Sequence, residues 1–159
     1  MRILVIGAGG MLGVKLIARL ARDGAIGGRE IAHLTRADAV PIAPLVAGFD
    51  VETVACDLSV PGIAARLMAD RPDLIFHLAA VVSGEAERDF DKGYRINLDA
   101  TRYLLEAARV AGHCPKIIFT SSIAVFGAPF PEVIADDYFT TPLTSYGTQK
   151  AMGELLLSD

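Results

Sequence analysis

A tyrosine and a lysine stand four residues apart near the end of the 159-residue chain, in the segment SYGTQK. On a helix, Tyr146 and Lys150 would share one face, because residues four apart are neighbours on a helix surface. A free tyrosine is protonated at neutral pH, but a neighbouring ammonium group favours the phenolate, which can remove a proton from a hydroxyl group. The spacing therefore indicates general base chemistry, although such a pair taken alone is more often an ordinary surface pair.

A serine that would assist such a base lies 24 residues upstream, in the segment TSSIAVFG. Ser122 comes just after the apolar run 117–120, which we predict to be a strand. Ligands of parallel α/β sheets bind at the carboxyl ends of the strands, so this position suits a functional hydroxyl. The hydroxyl would hold a substrate oxygen in place while the tyrosine takes the proton.

The glycine-rich segment GAGGMLG near the N-terminus has the spacing of a phosphate-binding turn. It follows a predicted strand at 3–6 and opens a predicted helix at 11–23, the context that a dinucleotide fingerprint requires. Gly7 would permit the tight turn, Gly10 would let the backbone approach a pyrophosphate, and Gly13 would let helix and strand pack closely. The helix N-terminus would attract the phosphate charge. The alternative is a glycine-rich turn without a ligand.

Two residues near the end of the second predicted strand compete for the adenosine ribose of such a cofactor. An acid at this place holds the ribose hydroxyls of NAD, whereas an arginine accommodates the 2′-phosphate of NADP. Asp38 and Arg36 both lie in the segment LTRAD. We favour Asp38, and therefore NAD, with NADP as the less favoured alternative.

Five apolar runs alternate with segments of helical periodicity along the chain. The predicted strands are 3–6, 31–35, 51–55, 74–78 and 117–120. The predicted helices are 11–23, 61–70, 97–111 and 144–157, and the predicted irregular segments are 39–49 and 127–143. This alternation predicts one α/β domain over residues 1–159, a Rossmann-type doubly wound parallel sheet with right-handed crossovers.

The composition argues against several other classes of protein. Hydrophobic residues make up 52% of the chain, which fits strands buried on both faces. The net charge of −4 and the lack of a basic run argue against a nucleic-acid partner. No segment reaches about 18 uncharged apolar residues, and glycines interrupt the apolar N-terminal run, so we expect neither a membrane span nor a signal peptide. We predict a cytoplasmic protein.

The cysteines and histidines show no metal-ligand pattern. Cys56 and Cys114 form no CxxC pair and are expected to be reduced, buried thiols. His33, His77 and His113 do not cluster in the sequence. His77 lies in the predicted strand LIFHL, where we expect an interior histidine with satisfied hydrogen bonds. We predict no metal site.

Taken together, the GxxGxxG loop, TSSIAVFG and SYGTQK resemble the extended branch of the short-chain dehydrogenase/reductase family. The resemblance implies an NAD-dependent oxidoreductase in which Ser122, Tyr146 and Lys150 are the catalytic residues. Phe126 departs from the family, many of whose members have a tyrosine at that place. It keeps the ring and lies outside the catalytic trio, so the assignment stands.

The same resemblance implies a set of cofactor contacts. Asp57, just after the third predicted strand, would contact the adenine, although it could equally cap the helix that follows. The other implied contacts are Gly7, Gly10, Met11, Leu12, Gly13, Asp38, Leu58, Leu78, Ala79, Ala80 and Asn97, together with Tyr146 and Lys150.

Two longer segments, HLAAVVSGEAERDFDKGYRINLDATRYLLEA and FTSSIAVFGAPFPEVIADD, are similar to a branch of the family that oxidises a four-carbon sugar acid at C2 with NAD. A sugar-acid substrate would contact Ser122 and Tyr146. Ser83, Gly84 and Glu85 would line its site unless they belong to an ordinary polar connection. The alternative on the same fold is a nucleotide-sugar epimerase or dehydratase, which returns the hydride to its substrate. A dinucleotide-binding fragment without activity is a third interpretation.

Members of the extended branch have a substrate-binding subdomain after the Tyr–Lys helix. We therefore expect residues 1–159 to be the N-terminal part of such an enzyme, with the C-terminal subdomain absent. Three successive leucines at 155–157 predict a final helix that is buried on more than one face. A homodimer built on the last two long helices is possible, because this helix pair forms dimers in the family.

Overall fold

The computed structural model describes residues 1–159 and contains a five-stranded parallel sheet. Its strands are β1 (Arg2–Ile6), β4 (His33–Asp38), β5 (Asp50–Ala55), β6 (Leu74–His77) and β7 (Lys116–Phe119), and a separate small hairpin consists of β2 (Ala25–Ile26) and β3 (Arg29–Glu30). The order across the sheet is β5-β4-β1-β6-β7, and every neighbouring pair is parallel. This order confirms the predicted doubly wound α/β fold. It also opens a crevice between β1 and β6, where the strand order reverses.

Helical segments connect these strands. They are α1 (Met11–Asp23), α2 (Ile63–Met68), α3 (Ser83–Arg88), α4 (Phe90–Tyr94), a π-helical turn (Arg95–Asp99), α5 (Ala100–Ala111), a 3₁₀ turn (Ile123–Val125) and α6 (Ser145–Ser158). Helix α1 ends at the predicted Gly24, which is left-handed with φ 65°. None of the helices combines the length and apolar character needed to span a membrane.

Each face of the sheet has its own apolar core. Leu4 and Ile6 of β1 belong to a core of 12 buried residues that includes side chains of α2 and α5. Ile3 and Val5 point to the other face, into a core of 9 buried residues that includes Ile17 of α1. The division follows from the strand geometry, because successive side chains of a strand point to opposite faces.

Three predicted elements have boundaries that differ from the structure by more than one residue. The second sheet strand, β4, starts at His33 rather than at residue 31, because its pairing with β1 begins at His33 and extends to Ala37. The amide of Ile31, which follows the small hairpin, instead donates to the Gly24 carbonyl oxygen. The helix predicted over 97–111 begins with the π-helical turn, and α5 itself starts at Ala100. The helix predicted over 61–70 is shorter and follows Gly62.

The solvent exposure of two cysteines and of the leucines in α6 contradicts two further expectations. Cys56 is half-buried and Cys114 is exposed, so the pair are not buried thiols. Leu155 is 68% exposed, whereas Leu156 and Leu157 are partly buried. Helix α6 packs mainly through small residues instead of its leucines, since its buried residues include two glycines and an alanine.

Candidate active site

A cavity of about 450 Å³ lies at the carboxyl ends of β1, β4, β5 and β6. Among the predicted cofactor residues it is lined by Gly7, Gly10, Asp38, Asp57, Leu58, Leu78, Ala79 and Ala80. The wall also contains ten residues that the sequence patterns did not indicate, namely Ile6, Ala39, Val40, Cys56, Ser59, Val81, Lys92, Arg95, Ile96 and Ala100. Met11 and Leu12 lie outside this wall, at the exposed start of α1, and Gly13 and Asn97 are buried behind it.

The glycine turn is shaped by close backbone contacts. Gly7 has φ +86°, and a Cβ atom there would lie 2.6 Å from the backbone nitrogen of Ala79, after β6. A Cβ atom on Gly13 would lie 2.2 Å from the Gly7 carbonyl oxygen. Both positions therefore exclude any side chain, as predicted for a tight turn that packs against its helix. Gly10 is different, because a Cβ atom there would meet only the Gly7 oxygen, at 3.4 Å.

The two candidates for the ribose end are separated by the fold. Both carboxylate oxygens of Asp38 accept backbone hydrogen bonds at the cavity, from the Gly9 amide at 2.8 Å and the Val40 amide at 3.1 Å. Arg36 is buried away from the cavity and donates to the Ala43 carbonyl oxygen and the Thr53 hydroxyl. Burial also lowers the pKa of Arg36. Asp38 is thus the available residue.

Gly9 is a further residue of the turn that the GxxGxxG pattern did not include. A Cβ atom at Gly9 would lie 2.8 Å from the Val40 side chain. Its lack of a side chain lets the turn reach the carboxylate of Asp38. The only sequence signal was the extra glycine in GAGG.

Asp57 belongs to a polar cluster at the rim of the cavity. One of its carboxylate oxygens accepts hydrogen bonds from the Ser59 amide and hydroxyl at 2.9 and 2.6 Å, and the other accepts from Arg95 at 3.1 Å. Burial acts to raise the pKa of Asp57, but these hydrogen bonds outweigh it and hold the pKa below its ordinary value. Asp57 does not cap α2, because that helix starts at Ile63 after Gly62, so the capping alternative is wrong.

The start of α6 is fixed by residues from two parts of the chain. Thr144 caps the helix by accepting a hydrogen bond from the Gly147 amide at 3.0 Å. Glu87 of α3 accepts bonds from the Tyr146 amide and the Ser145 hydroxyl, both at 2.9 Å. These bonds, the one from the Tyr146 amide above all, lower the pKa of Glu87. Together the two caps hold the backbone of Tyr146 in place.

Close packing brings α6 onto the turn that carries Ser122. A Cβ atom on Gly147 would lie 2.1 Å from the Ala124 carbonyl oxygen, so only glycine allows this approach. The Ser122 hydroxyl oxygen accepts a hydrogen bond from the Ala124 amide at 3.2 Å and opens the 3₁₀ turn. Ser122 and Tyr146 are both half-buried. The structure therefore places the predicted serine and tyrosine on two segments that touch.

Lys150 is almost completely buried at the same end of the sheet. Its Nζ donates to the Thr120 carbonyl oxygen at 2.8 Å and lies 4.5 Å from the centre of the Phe119 ring. Burial lowers the pKa of Lys150 to about 8, against the opposing effect of Glu154. The side chain therefore carries its charge at neutral pH and loses it in mildly alkaline solution.

His77, at the end of β6 and next to β7, is fully buried. Thr101 has one hydroxyl hydrogen, which it donates to the Asn97 carbonyl oxygen at 3.0 Å. Its oxygen therefore accepts the 2.9 Å hydrogen bond from His77 Nε2, and Nδ1 is left without a partner. The expected interior histidine is only half satisfied. Burial, with a smaller effect of Lys150, lowers the pKa of His77 to about 3.

Two other predicted residues, Ser83 and Gly84, lie outside the cavity. They form the exposed first turn of α3, in a segment whose helical character was not predicted. Helix α3 reaches the start of α6 through Glu87. The assignment of Ser83 and Gly84 to a substrate remains a prediction.

Other cavities lie away from the carboxyl ends of the parallel strands. A polar one of about 420 Å³ is at the amino ends of β6 and β7, where Arg71, Asp73 and Lys116 belong to its lining. A groove of about 380 Å³ between α2 and α5 is lined mostly by alanine and other apolar side chains. No group of three or more His, Cys, Asp and Glu side chains is arranged to hold a metal ion. The cavity beside β1 and β6 is therefore the candidate site.

Comparison with known proteins gives concordant matches. The chain is 47% identical to D-erythronate dehydrogenase from Cupriavidus necator over 166 residues, which cover 100% of this chain and 50% of the relative. The crystal structure of a nucleoside-diphosphate-sugar epimerase from Agrobacterium tumefaciens is 59% identical with a TM-score of 0.95, over 100% of this chain and 48% of that one. A mutant uronate dehydrogenase from the same organism, complexed with NAD, is 33% identical with a TM-score of 0.80, over 98% of this chain and 54% of that one.

The chain thus spans about half the length of the relatives that it matches. A family model covers nearly all of it, from residue 3 to residue 159. The glycine turn, the acid at the end of β4 and the helix with Tyr146 and Lys150 all fall within that range. The chain belongs to the NAD dependent epimerase/dehydratase family, the extended short-chain dehydrogenases that its sequence motifs resembled.

Proposed function

We propose that this chain carries the cofactor site and catalytic residues of an NAD-dependent dehydrogenase that oxidises a hydroxyl group of a sugar acid such as D-erythronate, at C2. One observation carries the proposal most directly. The helix with Tyr146 bonds through Lys150 to the Thr120 carbonyl oxygen, just past β7 and at the same end of the sheet as the cavity beside β1 and β6. Ser122 lies on the turn that follows Thr120, and none of the three catalytic candidates lines the cavity itself.

The residues at the cavity fit NAD. The glycine turn leaves room for a pyrophosphate at the N-terminus of α1, where the helix dipole favours phosphate charge. Asp38 would hold the adenosine ribose hydroxyls in exchange for its present bonds to the Gly9 and Val40 amides. A 2′-phosphate would instead face this carboxylate, and Arg36 is engaged elsewhere. This arrangement favours NAD over NADP.

The proposed chemistry assigns one role to each residue of the trio. Tyr146 takes the proton of the substrate hydroxyl as general base. The charge on Lys150 favours the tyrosine phenolate, and the lysine is held for this task by Thr120. Ser122 keeps the substrate oxygen in place by hydrogen bonding. When bound, NAD accepts a hydride from the carbon that bears the hydroxyl.

The proposed substrate rests on relatives. D-erythronate dehydrogenases of two bacteria are 47% and 40% identical to the chain. Because the chain covers about half of each, the residues that select the substrate are only partly within it. Ser83 and Gly84 on α3 are proposed to contribute, since Glu87 of the same helix bonds the backbone of Tyr146. We also propose that the enzyme forms a homodimer, as its resemblance to the extended branch implies.

A second function has one specific observation in its favour. The solved structure with 59% identity is described as a nucleoside-diphosphate-sugar epimerase. An epimerase of this kind would use the same cofactor site and tyrosine but would return the hydride to its substrate. The two functions differ in whether reduced cofactor accumulates.

The test is to incubate the full-length enzyme that contains this chain with NAD and D-erythronate and to follow the absorbance of NADH. We expect NADH to accumulate in step with turnover, and Tyr146→Phe protein to serve as the matched inactive control. UDP-glucose and UDP-galactose are offered in parallel. Interconversion of these sugars without NADH in solution would replace the dehydrogenase by the epimerase, and no reaction with either class would reject both.

A further inference from the structure

Gln149, the residue before Lys150, has a side chain with no exposed surface. Its Oε1 accepts a hydrogen bond from Asn97 Nδ2 at 2.8 Å, but its Nε2 has no partner. An unpartnered amide in the interior is unfavourable, and an apolar side chain of the same size would avoid it. Packing alone therefore does not explain why a glutamine occupies this position.

The orientation of this amide is dictated by Val81, which lies in the wall of the cofactor cavity. Asn97 accepts from the Val81 amide at 2.9 Å and donates to the Val81 carbonyl oxygen at 3.1 Å. A backbone amide only donates and a carbonyl only accepts, so the Asn97 side chain has a single possible orientation. Its second N–H then requires an acceptor, and Gln149 must present oxygen to it. The nitrogen of Gln149 is thereby turned to the side that offers no partner.

Neighbouring residues leave space for this amide. A Cβ atom on Gly93 of α4 would lie 2.8 Å from Gln149 Nε2, so any other residue at position 93 would press on the amide. Glycine is unfavourable inside a helix, which makes its presence there a second local cost of the same arrangement. Asn97 itself lies in the π-helical turn, a distortion that occurs frequently at functional sites.

We infer that Gln149 is a positioning residue that sets the separation between α6 and the cavity wall. The inference rests on the proposed function. Through Asn97, three hydrogen bonds connect the helix of Tyr146 and Lys150 to the backbone of Val81. Val81 continues the segment 78–80 that lines the cavity after β6. Gln149 thus holds the base at a fixed place relative to the cofactor without touching either reactant.

The test is the variant Gln149→Met, which keeps the length of the side chain and removes its acceptor. Because a misplacement of about 1 Å at a catalytic group lowers rates by up to about 100-fold, we expect kcat to fall roughly 10-fold to 100-fold. The KM for the sugar acid and the Kd for NAD should change by less than roughly threefold, since no group that contacts them is removed. The matched control is Thr148→Ala, which removes a hydrogen bond of the same helix to the Thr144 carbonyl oxygen and should leave kcat unchanged.

A second measurement is independent of turnover. Hydrogen exchange at the Val81 amide should be faster in Gln149→Met than in the wild type, while the thermal midpoint stays close to that of Thr148→Ala. If the wild type oxidises no sugar acid, the proposed function fails, but the exchange result still judges the role of Gln149. Unchanged exchange at Val81, or a kcat loss that merely follows a loss of thermal stability, would overturn the inference.

A second variant, which keeps the glutamine, tests the inference even if Gln149→Met does not fold. Gly93→Ala presses on the amide from α4 and leaves the acceptor in place. We expect the same pattern at smaller size, with kcat reduced, KM retained and exchange at Val81 accelerated. Wild-type kcat and exchange in this variant would contradict the positioning role.

Discussion

The two sides of the candidate site keep their shape mainly through different kinds of contact. On the glycine side, between β1 and α1, the shape comes from backbone atoms that approach so closely that a Cβ atom would overlap them. On the α6 side, Gly147 makes one such approach, to the Ala124 carbonyl oxygen, but the hydrogen bonds across elements involve side chains. Glu87 bonds the Tyr146 amide, Asn97 bonds Gln149, and Lys150 bonds the Thr120 carbonyl oxygen. A substitution at a tightly packed glycine should act through volume, and a substitution of a bonded or charged side chain should act through a lost hydrogen bond or a changed charge.

The largest effect is expected on the glycine side, for Gly13→Ala. The new methyl group would lie 2.2 Å from the Gly7 carbonyl oxygen, and backbone atoms cannot move aside as a flexible side chain can. We expect the free energy of unfolding in urea to fall by about 3 kcal/mol, at the upper end of the usual overpacking range. The control is Gly10→Ala, whose methyl group meets only one atom at 3.4 Å. Equal stability of the two variants would show that the close packing at Gly13 is not required.

Tyr146→Phe tests the α6 side through chemistry alone. It removes one oxygen and little volume, so turnover should fall by roughly 100-fold or more, which corresponds to a rise of about 2.7 kcal/mol in the activation free energy. The Kd for NAD, measured by calorimetry, should stay unchanged. Tyr103→Phe on α5 removes the same oxygen away from the site and should leave turnover unchanged. Turnover of Tyr146→Phe at the level of this control would remove Tyr146 from the mechanism.

The pH dependence of stability tests the buried polar groups on the α6 side. His77 has its pKa lowered to about 3 by burial and by Lys150, whereas an unfolded histidine titrates near 6.5. The unfolded state therefore binds more protons between these values, so stability is retained above about pH 6.5 and lost as the pH falls from there toward 3. Between pH 7 and pH 5 the wild type should lose about 2 kcal/mol more than His77→Gln, measured by urea unfolding at each pH. Parallel curves for the two proteins would contradict a neutral, buried His77.

Asp38→Ala should give the smallest of these effects, because it removes a charge and two hydrogen bonds at the cofactor rim but forces no overlap with the backbone of the turn. We expect the preference for NAD over NADP to narrow by roughly tenfold, about 1.4 kcal/mol, in Kd values from calorimetry. Asp23→Ala removes the same charge at the other end of α1 and should leave the preference as it is. Tighter binding of NADP than of NAD by the wild type would transfer the ribose role to Arg36, against its present burial.

Some features of this protein follow from short stretches of sequence. The strand before GAGGMLG and the helix after it, with Gly24 at its end, were predictable because hydrophobic period and glycine spacing act over a few residues. The order of strands and helices fixed the doubly wound α/β class for the same reason. Tyr146 and Lys150 could be placed on one helix face from their spacing alone.

Tertiary structure decided the features that depend on partners far apart in the chain. Asn97 and Gln149 are 52 residues apart, and Glu87 and Tyr146 are 59 apart, so no local pattern indicates that they bond. The sequence favoured Asp38 over Arg36 for the ribose but gave no sign of where either side chain lies, since the two are only two residues apart on the same strand. Segment 39–49 separates the two side chains in the structure. Its Ala43 carbonyl oxygen accepts a hydrogen bond from the buried Arg36, whereas Asp38 lies in the cavity wall. Hydrogen bonding and burial depend on which segments meet in space, and only the packed chain determines that.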